Sequence, residues 1–189
     1  MPALKKPQRE TPTISRPALL IDGSDTTFRG LIHDLMAYSH HIEACRDGFG
    51  AMIGLTGVQY EILMIVRRFG AADDTAGAGI SVGQVAARLH RSGAFTTIET
   101  AKLAARGVIE KRADPTDRRK VLLKLTAAGE ALSRTLAPYQ QQVNDVLFEC
   151  LDRRSFETLV TLARDLVDCG DRGAALSAFL VGQSTARVA

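Results

Sequence analysis

The stretch Gly107–Gly129, GVIEKRADPTDRRKVLLKLTAAG, constrains this chain more than any other. Val108 and Ile109 begin a β-type run, because β-branched side chains pack well on a pleated surface. Ala113-Asp114-Pro115-Thr116-Asp117 is turn chemistry: Asp bonds back to its own backbone and Pro fixes φ. Arg118, Arg119 and Lys120 place three adjacent cations at the tip, and Val121–Leu125 reads as the return strand. Thr126 is suited to cap a following helix. A two-stranded ribbon with a cationic tip, set between helical segments, is suited to a phosphate backbone.

The residues upstream supply the context. Ile80–Leu89 reads as a short helix, with apolar residues at Val82, Val85, Ala86 and Leu89. His90–Gly93 reads as a turn, and Ala94–Arg106 as a second helix closed by Gly107 in the left-handed position that ends helices. Helix, turn, helix, basic hairpin is the order of a winged helix-turn-helix, in which the second helix enters the major groove.

These segments resemble the MarR family of transcriptional regulators. Asp117-Arg118-Arg119 followed by Leu125-Thr126 and Gly129 is similar to the family's wing, in which D-R-R is followed by L-T-x-x-G. Leu103–Gly107 is similar to the L-x-x-x-G that ends its recognition helix, and Leu55–Leu63 resembles its L-T-x-x-Q-x-x-x-L entry to the second helix. The resemblance covers roughly residues 28–167. It implies a mainly α fold with a small β-hairpin: a winged helix-turn-helix with N- and C-terminal dimerisation helices. It further implies a homodimer that binds pseudo-palindromic double-stranded DNA, a repressor more than an activator, released by a small aromatic or phenolic effector.

On this reading residues 1–21, with four prolines, form a mobile arm, and residues 22–55 and 126–170 form the helical dimerisation region. Residues 56–125 form the DNA-binding region, and 171–189 a tail with one short helix at Ala174–Val181. The first helix runs from a cap at Ser24 or Asp25 to about Arg46, and the second is Gly57–Phe69, capped by Thr56. The Gly-rich Ala71–Gly79 is a loop, and Pro138 should kink or break the helix that follows Thr126. Apolar residues such as Leu136, Leu147, Leu159, Leu166 and Val167 exceed what a small winged domain buries, which argues for a second copy.

For DNA, the expected contacts are Ser92, Thr96, Thr97 and Lys102 on the recognition helix and Arg118, Arg119 and Lys120 on the wing. Asp117 is expected to orient an Arg. Phe95 and Ile98 form an i, i+3 apolar pair that Leu103 does not share, so either the helix is rotated or that pair packs elsewhere. For an effector the polar residues placed to line a cleft are Tyr38, His40, His41, Arg46 and Tyr60, where His and Arg pair with a carboxylate and Tyr stacks or donates.

Composition narrows the alternatives. The net charge of +3 is mild, but Arg106, Lys111, Arg112, Arg118, Arg119, Lys120 and Lys124 face only Glu110, Asp114 and Asp117 across the hairpin. No apolar run approaches the roughly 18–20 residues of a membrane span, and a cytoplasmic protein without membrane partners is expected. His41 and Cys45 share a helix face, and His33 and His40 lie one heptad apart, but no further metal ligand stands at a convincing spacing. Cys45, Cys150 and Cys169 are scattered; the last two fall on apolar helix faces, where buried, inert thiols are expected. No P-loop, dinucleotide fingerprint or nucleophile elbow is present, so no cofactor and no enzyme activity are expected. The other readings are a helical dimer acting through protein contacts, and a metal- or thiol-responsive regulator of the same fold.

Overall fold

A computed structural model describes residues 11–70, 79–114, 117 and 120–186. They form a 3-10 turn at Pro17–Leu19, then α1 (Thr26–Met52), α2 (Gly57–Gly70), β1 (Ile80–Ser81), α3 (Val82–Leu89) and α4 (Gly93–Ala105). β2 (Ile109–Ala113), β3 (Val121–Leu125), α5 (Ala127–Leu147) and α6 (Arg153–Ala186) follow. Two compact units divide the chain between Gln140 and Gln141.

The first unit holds the winged helix-turn-helix. Its sheet has three antiparallel strands in the order β1-β3-β2. The expected hairpin is present, with Ile109 opposite Leu125 and Lys111 opposite Leu123. A third strand joins it where helix was expected: Ile80 and Ser81 pair with Leu123 and Leu122. Ile80 is buried against the sheet, and Ser81 closes a capping box with Gln84, so the helix starts only at Val82. Ile62, Leu63 and Val66 of α2, Val85 of α3, Leu103 of α4 and Leu123 of β3 are almost wholly buried around this sheet. Each such side chain contributes about 1.5–3 kcal/mol relative to exposure.

Backbone closures set the angles between these elements. Gly107, at φ +68, ends α4: its N–H bonds Ala104 O at 2.9 Å and that of Val108 bonds Leu103 O at 3.0 Å. Thr126 Oγ1 donates to Gly107 O at 2.6 Å and receives the N–H of Gly129 at 3.1 Å. A Cβ on Gly129 would lie 2.2 Å from Val108 O, so α5 reaches this turn only with glycine there. α1 runs past Arg46 to Met52, and near its end Gly50 lies so close to the backbone of Leu55 and Thr56 that a Cβ there would collide.

Several further expectations are revised. Residues 11–21 of the expected mobile arm are tied down: the N–H and Oγ1 of Thr13 both reach Asp25 Oδ2 at 2.7 Å, and Ile21 bridges Ser24. Asp25 stands at the start of α1 without capping it, since its carboxylate holds Thr13 and Arg29. Residues 1–10 and residues 71–78 of the proposed loop lie outside the described residues. α5 continues through Pro138 without a break.

The second unit contains α6, which is one helix of 34 residues. It does not stop near Gly170, and residues 171–186 are not a separate tail. Gly costs only about 1 kcal/mol inside a helix, and the apolar periodicity continues past Gly170 and Gly173 to Leu180. Its apolar residues are exposed, Leu166 and Phe179 among them. Cys169 on α6 and Cys150 ahead of it are both exposed instead of buried. Among the described residues no single helix is long and apolar enough to cross a membrane.

Candidate nucleic-acid interface

α4 is the exposed helix of the helix-turn-helix, and its orientation follows from what it buries. Thr96, Thr100 and Leu103 are wholly buried and Glu99 nearly so. The rotated alternative is the observed one: Phe95 and Ile98 point outward, with Ile98 56% exposed. Threonine fills the inward positions because its hydroxyl can be satisfied within the helix: Thr96 Oγ1 donates to Ser92 O at 3.0 Å and Thr100 Oγ1 to Thr97 O at 3.1 Å.

The proposed recognition residues therefore divide. Thr97 and Lys102 are exposed on the outer face. Thr96 is not available to a base, which corrects the expectation drawn from its residue type. Ser92 is exposed, but its Oγ accepts the N–H of Phe95 at 3.2 Å as the helix cap. Phe95 and Ile98 replace Thr96 on the outer surface, where apolar groups suit thymine methyls. The signal is legible in Thr96, Thr100 and Leu103, which repeat at i, i+4, i+7.

Glu99 occupies an inward position with a purpose in the geometry. Gln59 Nε2 donates to Glu99 Oε2 at 3.0 Å, and Lys102 Nζ lies 2.7 Å from Glu99 Oε1. Gln59 is itself fixed: its N–H bonds Thr56 Oγ1 at 3.2 Å, and its Oε1 receives the N–H of Thr56 at 3.3 Å. The hydrogen bond from Lys102, then that from Gln59, hold the Glu99 carboxyl below its ordinary range against the opposing effect of burial.

The wing stands beside α4. Asp114 Oδ1 accepts the N–H of Asp117 at 3.2 Å, and Lys120 closes the turn onto Asp117 O at 2.8 Å. Lys120 Nζ is 3.6 Å from Asp117 Oδ2, an ion pair within the turn. Arg118 and Arg119 lie outside the described residues. Lys120 and Lys111 border a crevice of about 500 Å³ with Thr97 and the first residues of α3, Val82 and Gly83. Two cations beside the start of a helix make this crevice suited to a phosphate.

The proposed effector residues are brought together only in part. Tyr60 is buried, and its ring centroid is 5.5 Å from that of Phe49. Its hydroxyl accepts from Gln140 Nε2 at 2.6 Å, and burial pushes its pKa up. Arg46 Nη2 pairs with Glu61 Oε2 at 2.9 Å, while Arg46 Nε is buried without a hydrogen-bond partner. Glu61 is pushed above its ordinary range by burial, which Arg46 opposes. Tyr38 is half-buried on α1, whereas His40 and His41 are exposed. Among the described residues no three His, Cys, Asp or Glu side chains converge as a metal site.

Comparison with known proteins gives a consistent result. Residues 53–120 match the sequence profile of the MarR family. The repressor NicR of Pseudomonas putida is 31% identical over 67 residues, 35% of this chain, and the match spans 42% of that relative's length. BpsR of Bordetella bronchiseptica, whose DNA binding is regulated by 6-hydroxynicotinic acid, is 26% identical, with a TM-score of 0.58 over 72% of this chain and 91% of its own. A mutant of E. coli MarR complexed with operator DNA is 20% identical and shares the fold, with a TM-score of 0.59 over 75% of this chain and 94% of its own.

Proposed function

We propose, from the likeness of residues 53–120 to the MarR family, that the chain is a cytoplasmic homodimeric repressor released from pseudo-palindromic DNA by a small aromatic acid or phenol. The observation that carries this reading is the outer face of α4, where Phe95, Thr97, Ile98 and Lys102 are exposed next to Lys111 and Lys120 of the wing. Apolar and hydroxyl groups suit base edges, and the lysines suit phosphates. Arg118 and Arg119 are proposed to add phosphate or minor-groove contacts at the tip. Two copies would set their recognition helices about 34 Å apart, one turn of DNA.

The effector class is supported by Arg46 and Tyr60, near enough for the Arg46 charge to act on the Tyr60 hydroxyl, with Tyr38 on the same helix as Arg46. The likeness to BpsR suggests 6-hydroxynicotinic acid as the first compound to try. An effector that binds better to a dimer whose helices no longer match the DNA repeat releases the operator by shifting that population.

The test is fluorescence anisotropy on the DNA upstream of the protein's own coding sequence, against a scrambled duplex, across a salt series. Preferential, salt-sensitive binding at one dimer per site is expected, lost on adding 6-hydroxynicotinic acid or a related aromatic acid. Absence of binding to either duplex at low salt would overturn the regulator reading.

A further inference from the structure

α6 carries an apolar seam longer than any partner within its own unit can explain. Leu159, Leu162 and Leu166 are followed by Cys169 and Gly173, then Leu176 and Leu180. The intervals alternate three and four over three heptads, the spacing of a coiled-coil seam. All five leucines are exposed. We propose that this seam pairs with the same helix of a second copy, and that the two helices run antiparallel. The proposal rests on the homodimer reading and adds which helix face meets which, and in what direction.

Charge order sets the direction. Asp165 and Arg172 immediately precede the seam residues Leu166 and Gly173, so both flank the seam on one side. Arg172 already leans toward the seam, its Nη2 3.2 Å from Cys169 Sγ. In a parallel pair that flank faces the opposite flank of the other copy, which here holds Ala163, Gly170 and Ser177 and no charge. In an antiparallel pair it faces itself, and Asp165 meets Arg172 of the partner subunit twice by symmetry. Size agrees with charge. Antiparallel layers set Leu162 over the partner's Gly173 and Leu166 against the partner's Cys169, large on small. A parallel pair would stack glycine on glycine and leave a hole in the seam.

The full-length protein tests this by sedimentation equilibrium. Wild type is expected to be dimeric, Arg172→Asp to weaken the dimer about tenfold, and the double variant Asp165→Arg/Arg172→Asp to restore it. Under mild oxidation Leu166→Cys should give a covalent dimer whose peptide map links positions 166 and 169 of different copies. A monomeric wild type would overturn the homodimer reading itself. A dimer unmoved by Arg172→Asp, a loss that the double variant does not rescue, or a wild-type link between the two Cys169 residues would overturn the antiparallel seam while leaving the dimer standing.

Discussion

Gln59 of α2 donates its side-chain amide to Glu99 of α4 at 3.0 Å, and this contact joins the capping turn of one helix to the inner face of the helix proposed to read DNA. Glu99 passes the constraint outward to Lys102 at 2.7 Å. A cation on the surface proposed to face DNA is thereby both aimed and partly neutralised by a carboxylate held from behind. Glu99→Gln should cost about 1–3 kcal/mol of stability, as loss of a buried charge-assisted bond does. It should also free Lys102 for phosphate, raising affinity for scrambled DNA several-fold while the preference for the operator falls. Urea unfolding and anisotropy on both duplexes measure the two effects; an unchanged preference would refute the coupling.

Thr96 and Ile98 are two residues apart and should behave in opposite ways. Thr96→Ala removes a buried hydroxyl that bonds Ser92 O, and about 1 kcal/mol of stability should go with it. Ile98→Ala should leave stability within about 0.5 kcal/mol and weaken operator binding by about 1–3 kcal/mol. A Thr96→Ala variant that changes sequence preference with no loss of stability would mean that α4 turns Thr96 toward DNA and not toward the core.

Gly129→Ala places a methyl 2.2 Å from Val108 O in the undistorted structure. The start of α5 must then move off the turn after α4, at a cost of about 1–3 kcal/mol. Because Thr126 joins the same turn to the end of β3, the wing should move as well. A lower urea midpoint together with weaker DNA binding is expected, and an undisturbed midpoint would show that the helix slides without cost.

Asp25 titrates at about 2, held down first by the backbone N–H of Thr13, then by the Thr13 hydroxyl and Arg29. A carboxyl with a depressed folded value contributes in full above its unfolded value of about 4 and loses that contribution as pH falls toward the folded one. The melting temperature of wild type should therefore exceed that of Asp25→Asn by a constant margin above about pH 5. The margin should shrink between about pH 4 and pH 2. A margin that persists unchanged to pH 2 would mean that Thr13 and Arg29 do not hold the charged form.

The wing and the two helices before it are readable in the sequence because each carries its own punctuation. Ser92, Gly107, Thr126 and Gly129 are local signals, and each has a backbone partner in the structure. The strand at Ile80–Ser81 is not readable, since two residues carry no period and their pairing with Leu123 and Leu122 is long-range. Residue type misleads at Thr96, because a hydroxyl suggests a polar surface while the helix satisfies that hydroxyl internally. Gly170 misleads in the same way: glycine suggests a helix end, but nothing there caps α6. His40 and His41 match Arg46 in chemistry alone, and the turn of α1 leaves both in solvent.

Where α1 meets α2, two glycines leave no room for a Cβ. Gly50 meets the backbone of Leu55 and Thr56, and a Cβ on Gly57 would collide with Asp47. At these two points the joint has little slack to absorb a push. If α1 is displaced, α2 must turn with it like the arm of a crank, carrying Gln59 and, through Glu99, the exposed face of α4.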